Sequence, residues 1–151
     1  MLRDRLNEAL KTAMKEKNPL ALGTVRLILA ALKDRDIAAR CKGNLDGIEE
    51  GEILSMLQSM IKQRRDSIEL YEKGGRLELA QQEAEEIDVI EKFLPEQMSE
   101  EDTAAAVNAV IEELGAESLK DMGRTMGALK ERYAGQMDFS KASALVKARL
   151  G

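Results

Sequence analysis

Apolar residues recur at intervals of three and four along most of the chain, and this spacing predicts helices. Leu2, Leu6 and Leu10 begin the first such series, which ends near Lys17. Strand-forming residues are scarce, and aromatic residues make up only 3% of the chain. Both features are typical of helix-rich globular proteins. The sequence therefore predicts an all-α fold.

Signals at the ends of the apolar series predict four helices in the first part of the chain. Asn18 followed by Pro19 is the expected N-cap and first residue of a second helix. A long third helix should end where Gly74 and Gly75 supply a C-cap. The fourth helix, residues 76–94, follows after so short a turn that the two helices should form an antiparallel hairpin.

Pro95 marks the predicted boundary between two domains, because the residue before a proline is pushed out of the helical conformation. Beyond it, Ser99, Ser118 and Asp138 are expected N-caps of three short helices. Helical spacing places the following residues inward on the middle one: Leu119, Met122, Met126, Leu129 and Tyr133. We thus predict a four-helix domain at 1–95 with a long helical hairpin, and a three-helix domain at 96–151.

The chain shows no secretory signal and no apolar run of the roughly 20 residues that span a bilayer. Its only cysteine, Cys41, has no partner for an intrachain disulfide or a Cys-x-x-Cys metal site. We therefore expect a cytoplasmic protein in a reducing environment, with no membrane partner. No pattern in the sequence predicts an oligomeric state.

Histidine is absent from the chain, and this limits the chemistry that it can perform. Without histidine the usual general base near neutral pH and the commonest zinc ligand are both missing. The carboxylates of residues 83–88 lack the order of oxygen ligands that a calcium loop requires, so we interpret them, with the basic patch of residues 62–65, as solvent-exposed. We predict no catalytic residue, no metal site and no cofactor.

Charge is distributed unevenly along the second half of the chain. The net charge of −5 argues against a protein that coats nucleic acid indiscriminately. Residues 96–117, however, contain seven acids and no base, whereas residues 118–151 contain seven bases and three acids. The last two predicted helices therefore form a basic segment.

One face of the predicted helix at residues 119–133 combines basic residues with glycine. Lys120 and Arg124 fall opposite the apolar stripe, and Gly123 and Gly127 lie four residues apart on the same side of the helix. Glycine inside a helix costs about 0.5–1 kcal/mol relative to alanine, so two within one turn suggest that something approaches the backbone closely. That neighbour could be another helix of the chain or a ligand such as a phosphate backbone. Spacing alone leaves both explanations open.

Short motifs along the whole chain resemble a known family. They are KQRRDSI at residues 62–68, GRLELA at 75–80, FLPEQ at 93–97, KDMGRTMG at 120–127, AGQMD at 134–138 and LVK at 145–147. Together these motifs are similar to those of the GatB/YqeY family, and the length of the chain resembles that of the stand-alone YqeY-like proteins.

This resemblance implies binding of tRNA. In the B subunit of the glutamine-dependent aminoacyl-tRNA amidotransferase, a similar domain forms a non-catalytic tail that contacts the tRNA elbow. YqeY-like domains are also found fused to a glutaminyl-tRNA synthetase. From the resemblance and the basic helix face together, we predict a weak, shape-based tRNA contact through Lys120, Gly123, Arg124, Gly127, Lys130, Lys141 and Lys147.

Two alternatives come from other functional classes. The chain could be a protein-interaction module that docks on an aminoacyl-tRNA synthetase or an amidotransferase, through the acidic residues 96–117 or the long hairpin. The family association also suggests a carbon-nitrogen ligase that uses glutamine as the amide donor. Such a ligase needs a site for ATP, and the chain has no glycine-rich phosphate loop. We therefore expect a protein that is not an enzyme.

Overall fold

The computed structural model describes the whole chain, residues 1–151, and all its regular elements are helical. Seven α-helices and one 3₁₀ turn follow one another along the sequence, so the predicted all-α fold is confirmed. The chain divides into two compact units, unit 1 at Met1–Pro95 and unit 2 at Glu96–Gly151. None of the helices combines the length and the apolar character that crossing a bilayer requires.

Unit 1 contains α1 (Leu2–Lys15), α2 (Pro19–Cys41), α3 (Glu50–Lys73) and α4 (Leu77–Glu91). Helix α2 packs against α1 and α4, and α3 pairs with α4 in the predicted hairpin. The apolar stripes of all four helices meet in one core. Its most deeply buried side chains are Leu6, Val25, Ile28, Ile53, Met56, Leu57 and Ile90.

Local signals in the sequence determine where the helices of unit 1 begin and end. The Asn18 side chain accepts a hydrogen bond from the Ala21 N–H at 3.1 Å, and Pro19 is the first residue of α2, as predicted. Helix α1 ends at Lys15, slightly before the predicted end, and Lys17 takes a φ of 52° in the turn. Gly75 provides a φ of 72° in the turn between α3 and α4, a conformation that disfavours other residues.

The α3–α4 hairpin buries charged residues that the sequence placed in solvent. Arg64 Nε donates to Glu86 Oε2 at 2.9 Å and lies 3.9 Å from Glu83 Oε2, and the Arg64 side chain is only 13% exposed. Burial, together with the nearby Glu86 carboxylate, raises the pKa of Glu83 above its ordinary value. Our interpretation of Arg64, Glu83 and Glu86 as solvent-exposed was therefore wrong, because the two helices pack face to face at this level.

An ion pair between Arg3 and Asp36 joins α1 to α2 and to the loop that follows. Arg3 donates to both carboxylate oxygens of Asp36, at 2.7 and 2.8 Å, and to the Ile48 carbonyl at 2.9 Å. The Ile48 N–H in turn donates to Asp36 Oδ1 at 2.9 Å. Hydrogen bonding by Arg3, assisted by the Ile48 N–H, lowers the pKa of Asp36 to about 2.

We expect this cluster to make unit 1 sensitive to acid. The pKa of Asp36 is lower in the folded chain than in the unfolded chain, so its contribution is present above pH ~4 and is lost as the pH falls toward ~2. The contribution should be on the order of 1–2 kcal/mol. Urea unfolding of Asp36→Asn and of the parent should differ at about pH 5 and converge near pH 2. Asp34→Asn, at an exposed position without an ion pair, is the control. A constant difference at both pH values would contradict this assignment.

Unit 2 contains α5 (Glu100–Leu114), a 3₁₀ turn (Leu119–Asp121), α6 (Met122–Arg132) and α7 (Phe139–Leu150). The three α-helices all contact one another around a separate core. Its most deeply buried side chains are Val107, Val110, Leu129, Met137, Ala142 and Val146. The three predicted caps are present. Ser99 Oγ accepts from the Asp102 N–H at 3.0 Å, Asp138 Oδ1 accepts from the Ser140 N–H at 3.0 Å, and Ser118 forms a capping box with Asp121 at the start of the 3₁₀ turn.

The start of α6 differs from the prediction. Residues 119–121 form a 3₁₀ turn in place of the first turn of an α-helix, and Leu119, predicted to face inward, is 50% exposed. The Asp121 carboxylate accepts hydrogen bonds from the Glu117 N–H at 3.0 Å and the Ser118 N–H at 3.5 Å, and these bonds hold the chain in the tight turn. A 3₁₀ turn has about three residues per turn, which rotates Leu119 away from the buried stripe of α6.

Candidate nucleic-acid interface

Five of the seven predicted contact residues lie on one exposed side of the 3₁₀ turn and α6. We call this set the α6 surface; it comprises Lys120, Gly123, Arg124, Gly127 and Lys130, all of them exposed. The opposite side of α6 carries Thr125 and Leu129, each fully buried. Met122 and Met126 are half-buried and pack against the core, as predicted. The core contacts of α6 thus determine which of its sides faces outward.

Gly123 and Gly127 face open space. A Cβ atom added at either position would have no heavy atom within 4 Å apart from the helix itself. Packing against a neighbouring helix was one of the two explanations that spacing left open, and this geometry excludes it within unit 2. The two glycines therefore expose a strip of bare backbone on α6, although alanine at each position would favour the helix by about 0.5–1 kcal/mol.

The charges around this strip are mostly positive. Lys120 and Lys130 form no ion pair, whereas the Arg124 guanidinium lies 3.1 Å from Asp121 Oδ1 and remains 54% exposed. The Glu117 N–H, followed by the Ser118 N–H and Arg124, keeps the pKa of Asp121 below its ordinary value. Glu131 is also exposed, four residues after Gly127 and thus on the same side of the helix. Lys120 and Lys130 are therefore the bases of the α6 surface most available to a ligand.

The last base of α6 has a structural partner. Arg132 donates to both oxygens of Glu113 on α5, at 2.6 and 2.8 Å. Hydrogen bonding by Arg132 lowers the pKa of Glu113. The acidic helix α5 thus neutralises Arg132, while neither Lys120 nor Lys130 pairs with an acid of that helix.

The structure does not bring Lys141 together with the α6 surface. Lys141 Nζ donates to Glu100 Oε1 of α5 at 3.3 Å. It lines a groove of about 440 Å³ between α5 and α7, and no residue of α6 lines that groove. Lys147 is exposed and unpaired, but six positions along α7 place it about 120° from Lys141 around the helix axis. The two lysines of α7 therefore do not share one face.

The motif at residues 134–138 has a structural role that spacing did not indicate. Gly135 is buried with a φ of 78°, and its carbonyl accepts a hydrogen bond from Gln97 Nε2 at 2.6 Å. The Met98 N–H donates to the Gln136 carbonyl at 2.8 Å. These bonds join the chain before α5 to the loop before α7, and the adjacent Met137 is fully buried in the core of unit 2. The motif thus supports the fold of unit 2.

Thr125 is the other residue whose role the sequence did not indicate. Its side chain is fully buried, and its hydroxyl donates to the Asp121 carbonyl at 2.9 Å, across the junction between the 3₁₀ turn and α6. Helical spacing alone could have placed it inward, between Met122 and Leu129, but a polar side chain is seldom expected in a core. Because this local hydrogen bond satisfies the buried hydroxyl, Thr125 is accommodated in the core and stabilises the start of α6.

Taken together, these features define an all-helical protein of two units, with a basic, glycine-containing helix surface on the second unit and no group of three acidic or cysteine side chains that could hold a metal ion. A family model described as YqeY-like protein matches residues 3–150. The chain belongs to this family, which confirms the resemblance found in its motifs.

Several yeast proteins are similar to the chain, and each is named "Altered inheritance of mitochondria protein 41, mitochondrial". The protein of Lachancea thermotolerans is 28% identical over an alignment of 151 positions, which covers 96% of this chain and 76% of the relative. That of Candida glabrata is 35% identical over 60% of this chain and 48% of the relative. That of Eremothecium gossypii is 35% identical over 72% of this chain and 58% of the relative. The chain thus spans between about half and three quarters of the length of these relatives.

These relatives correct the predicted cytoplasmic location. All three are named as mitochondrial proteins, and this finding overturns the prediction. The prediction rested on the lack of a recognisable secretory signal and on the single Cys41, which excludes an intrachain disulfide in any compartment. A lone cysteine therefore could not distinguish one reducing compartment from another.

Proposed function

We propose that the chain is a non-catalytic accessory protein that binds tRNA through the α6 surface. The observation that carries the proposal is the pair of exposed glycines: Gly123 and Gly127 leave helix backbone uncovered, and no other part of unit 2 occupies the space beside them. A helix without side chains along one strip allows a sugar-phosphate backbone to approach more closely than an ordinary helix does.

The charges beside the strip support a nucleic-acid ligand. Lys120 and Lys130 lie near the two ends of the strip without acidic partners, and Arg124 remains half-exposed beside Asp121. Phosphate contacts by these three bases would carry no sequence information, so recognition would depend on the shape of a folded RNA. The resemblance of this unit to the tail that contacts the tRNA elbow in the amidotransferase B subunit supports tRNA as that RNA.

The double variant Gly123→Ala, Gly127→Ala should separate stability from binding. We expect it to raise the free energy of unfolding by about 0.5–1 kcal/mol per position, because both sites favour helix and have room for a methyl group. We also expect tRNA binding to weaken severalfold, because the methyl groups cover the strip. Urea unfolding and gel shift with purified tRNA at two salt concentrations measure the two effects, and binding by the parent should fall steeply as salt rises.

The matched control is Gly51→Ala. Gly51 lies in α3 of unit 1, is also exposed, and also has open space where its Cβ would be. This variant should leave tRNA binding unchanged. A Gly123→Ala, Gly127→Ala protein that binds tRNA as well as the parent, or a parent that shows no salt-sensitive binding at high micromolar concentration, would count against the proposal.

Exposed leucines favour a second candidate function, docking on a synthetase or an amidotransferase through the α3–α4 hairpin. Leu70 and Leu77 flank the hairpin turn and are 69% and 66% exposed. Helix α4 begins at Leu77, so this residue lies beyond the end of the core. Affinity capture should then return one stoichiometric protein that survives nuclease treatment and is lost with Leu70→Gln, Leu77→Gln. Capture that depends on RNA would favour the tRNA proposal.

We propose no catalytic step for the chain. Carbon-nitrogen ligase activity rests on the family association alone, and no cluster of side chains in either unit supports it. Amidation of misacylated tRNA by the purified chain with ATP and glutamine would overturn this part of the proposal.

A further inference from the structure

Helix α2 has a second apolar stripe on the side that faces away from the core. Val25, Ile28 and Leu32 point into the core of unit 1 and are buried. We call the opposite set the outer stripe; it consists of Leu20, Gly23, Leu27, Ala30, Ile37 and Cys41. Leu27 and Ile37 are each 49% exposed. A helix that is apolar on two sides needs packing partners on both, and α1, α3 and α4 cover only the side that faces the core of unit 1.

The spacing of the outer stripe is that of a helix–helix contact. Its members alternate steps of three and four residues from Leu20 to Ala30, and Ile37 and Cys41 continue the same register. This is the heptad pattern of positions that meet a partner helix in a coiled coil. Gly23 has no heavy atom within 4 Å of its Cβ position, so the stripe also provides room for close approach. Asp34 occupies the one polar position, and a single polar residue in such a stripe fixes register.

A row of bases borders the outer stripe on one flank. Arg26, Lys33 and Arg40 follow at intervals of seven residues, and all three are exposed. No salt bridge includes any of them, although Arg40 is near enough to the Asp36 carboxylate to contribute to its lowered pKa. Seven residues make about two helical turns, so the three side chains project in nearly the same direction. The other flank carries the small residues Ala31 and Ala38, which are uncharged. Flanking positions of this kind select the charge of a partner helix.

We propose that the outer stripe of α2 binds an amphipathic helix of another protein, with acidic residues beside its apolar face. The basic row of Arg26, Lys33 and Arg40 favours a partner helix with acidic flanks, because opposite charges would then face each other. A second copy of the chain, packed antiparallel, would bring the row of Arg26, Lys33 and Arg40 against its own counterpart, and a parallel copy would place it beside uncharged alanines. An RNA would gain contacts from the bases but none from Leu27 and Ile37. The α6 surface of unit 2 is not involved.

The experiment uses the full chain and two synthetic peptides. Each peptide is a helix of about four heptads with leucine and alanine at the contact positions. One carries glutamate at the flanking positions and the other carries lysine there. Fluorescence anisotropy at physiological salt should show that the chain binds the acidic peptide at least about tenfold more tightly than the basic one. The variant Arg26→Glu, Lys33→Glu, Arg40→Glu should reverse this preference, and Leu27→Ser, Ile37→Ser should abolish binding of both peptides.

The matched control reverses three other lysines of unit 1, as Lys15→Glu, Lys62→Glu, Lys92→Glu. These lysines are exposed and unpaired but lie on α1, on α3 and after α4, so the control should keep the preference for the acidic peptide. Circular dichroism checks that each variant remains helical.

Three outcomes would overturn the proposal. The first is that the full chain binds neither peptide, or binds both equally. The second is a dimer in analytical ultracentrifugation that Leu27→Ser, Ile37→Ser dissolves, which would assign the stripe to a second copy of the chain. The third is a loss of tRNA binding in the Arg26, Lys33, Arg40 variant with no effect on the peptides, which would assign the row to RNA.

Discussion

Replacing Lys120 and Lys130 together by glutamate is expected to weaken tRNA binding by about a hundredfold at physiological salt. Each lysine is exposed and unpaired beside the glycine strip, so each is available for a phosphate contact. Glutamate removes that contact and adds repulsion of the RNA backbone. The slope of log affinity against log salt should also decrease by about two, one for each lost contact. Filter binding with purified tRNA over a series of salt concentrations measures both quantities.

Arg124 is left intact in this variant because it pairs with Asp121, which also holds the 3₁₀ turn. Its replacement would therefore mix an effect on folding with one on binding. The control is Lys62→Glu, Lys92→Glu, two exposed and unpaired lysines of unit 1. It should bind tRNA like the parent. If the control weakens tRNA binding equally, the effect comes from net charge and not from the α6 surface. If the Lys120, Lys130 variant binds tRNA as tightly as the parent, the RNA contact lies elsewhere.

Lys141 distinguishes the sequence prediction from the arrangement found in the structure. The sequence grouped Lys141 with the α6 residues, whereas the fold places it in the groove between α5 and α7, paired with Glu100. Spacing along one helix cannot show which surface a residue of another helix joins, because that depends on how the helices pack. Lys141→Glu should therefore affect tRNA binding much less than the Lys120, Lys130 variant does.

Local features of the structure were predictable because short-range interactions determine them. Asn18, Ser99 and Asp138 each cap a helix through a side-chain oxygen and a backbone N–H two or three residues away, and residues so close in sequence interact in any tertiary context. The glycine that ends α5 is likewise a local feature, because Gly115 takes a φ of 62° there.

Features that depend on packing were not predictable. Most of the Arg64 side chain is buried because α4 brings Glu86 against it, and the two residues are 22 positions apart in the sequence. Spacing also could not decide what approaches Gly123 and Gly127. Glycine in a helix has the same sequence signature whether a neighbouring helix or open solvent lies beside it. Only the position of α6 on its unit shows that these two glycines are uncovered.

Leu129→Ala should cost about 2–5 kcal/mol of the stability of unit 2, as expected for deletion of a fully buried leucine side chain. Unit 2, residues 96–151, has 56 residues, and domains of that size have a total stability of about 3–8 kcal/mol. The variant should therefore lose much of its folded population. Leu119→Ala is the matched control, since both leucines were predicted to face inward but Leu119 is half-exposed. Its cost should stay below about 1 kcal/mol.

Hydrogen exchange of the full chain, read by mass spectrometry, measures this difference separately for each unit. In Leu129→Ala the amides of α5, α6 and α7 should lose protection together while those of unit 1 retain it, because the two units have separate cores. Similar protection in the two leucine variants would contradict the assigned burial. Hydrogen exchange also separates a loss of folding from a loss of contact in the binding data. Leu129→Ala should lose both tRNA binding and amide protection in unit 2. The Lys120, Lys130 variant should lose tRNA binding but keep its amide protection. Only the second pattern identifies a contact residue.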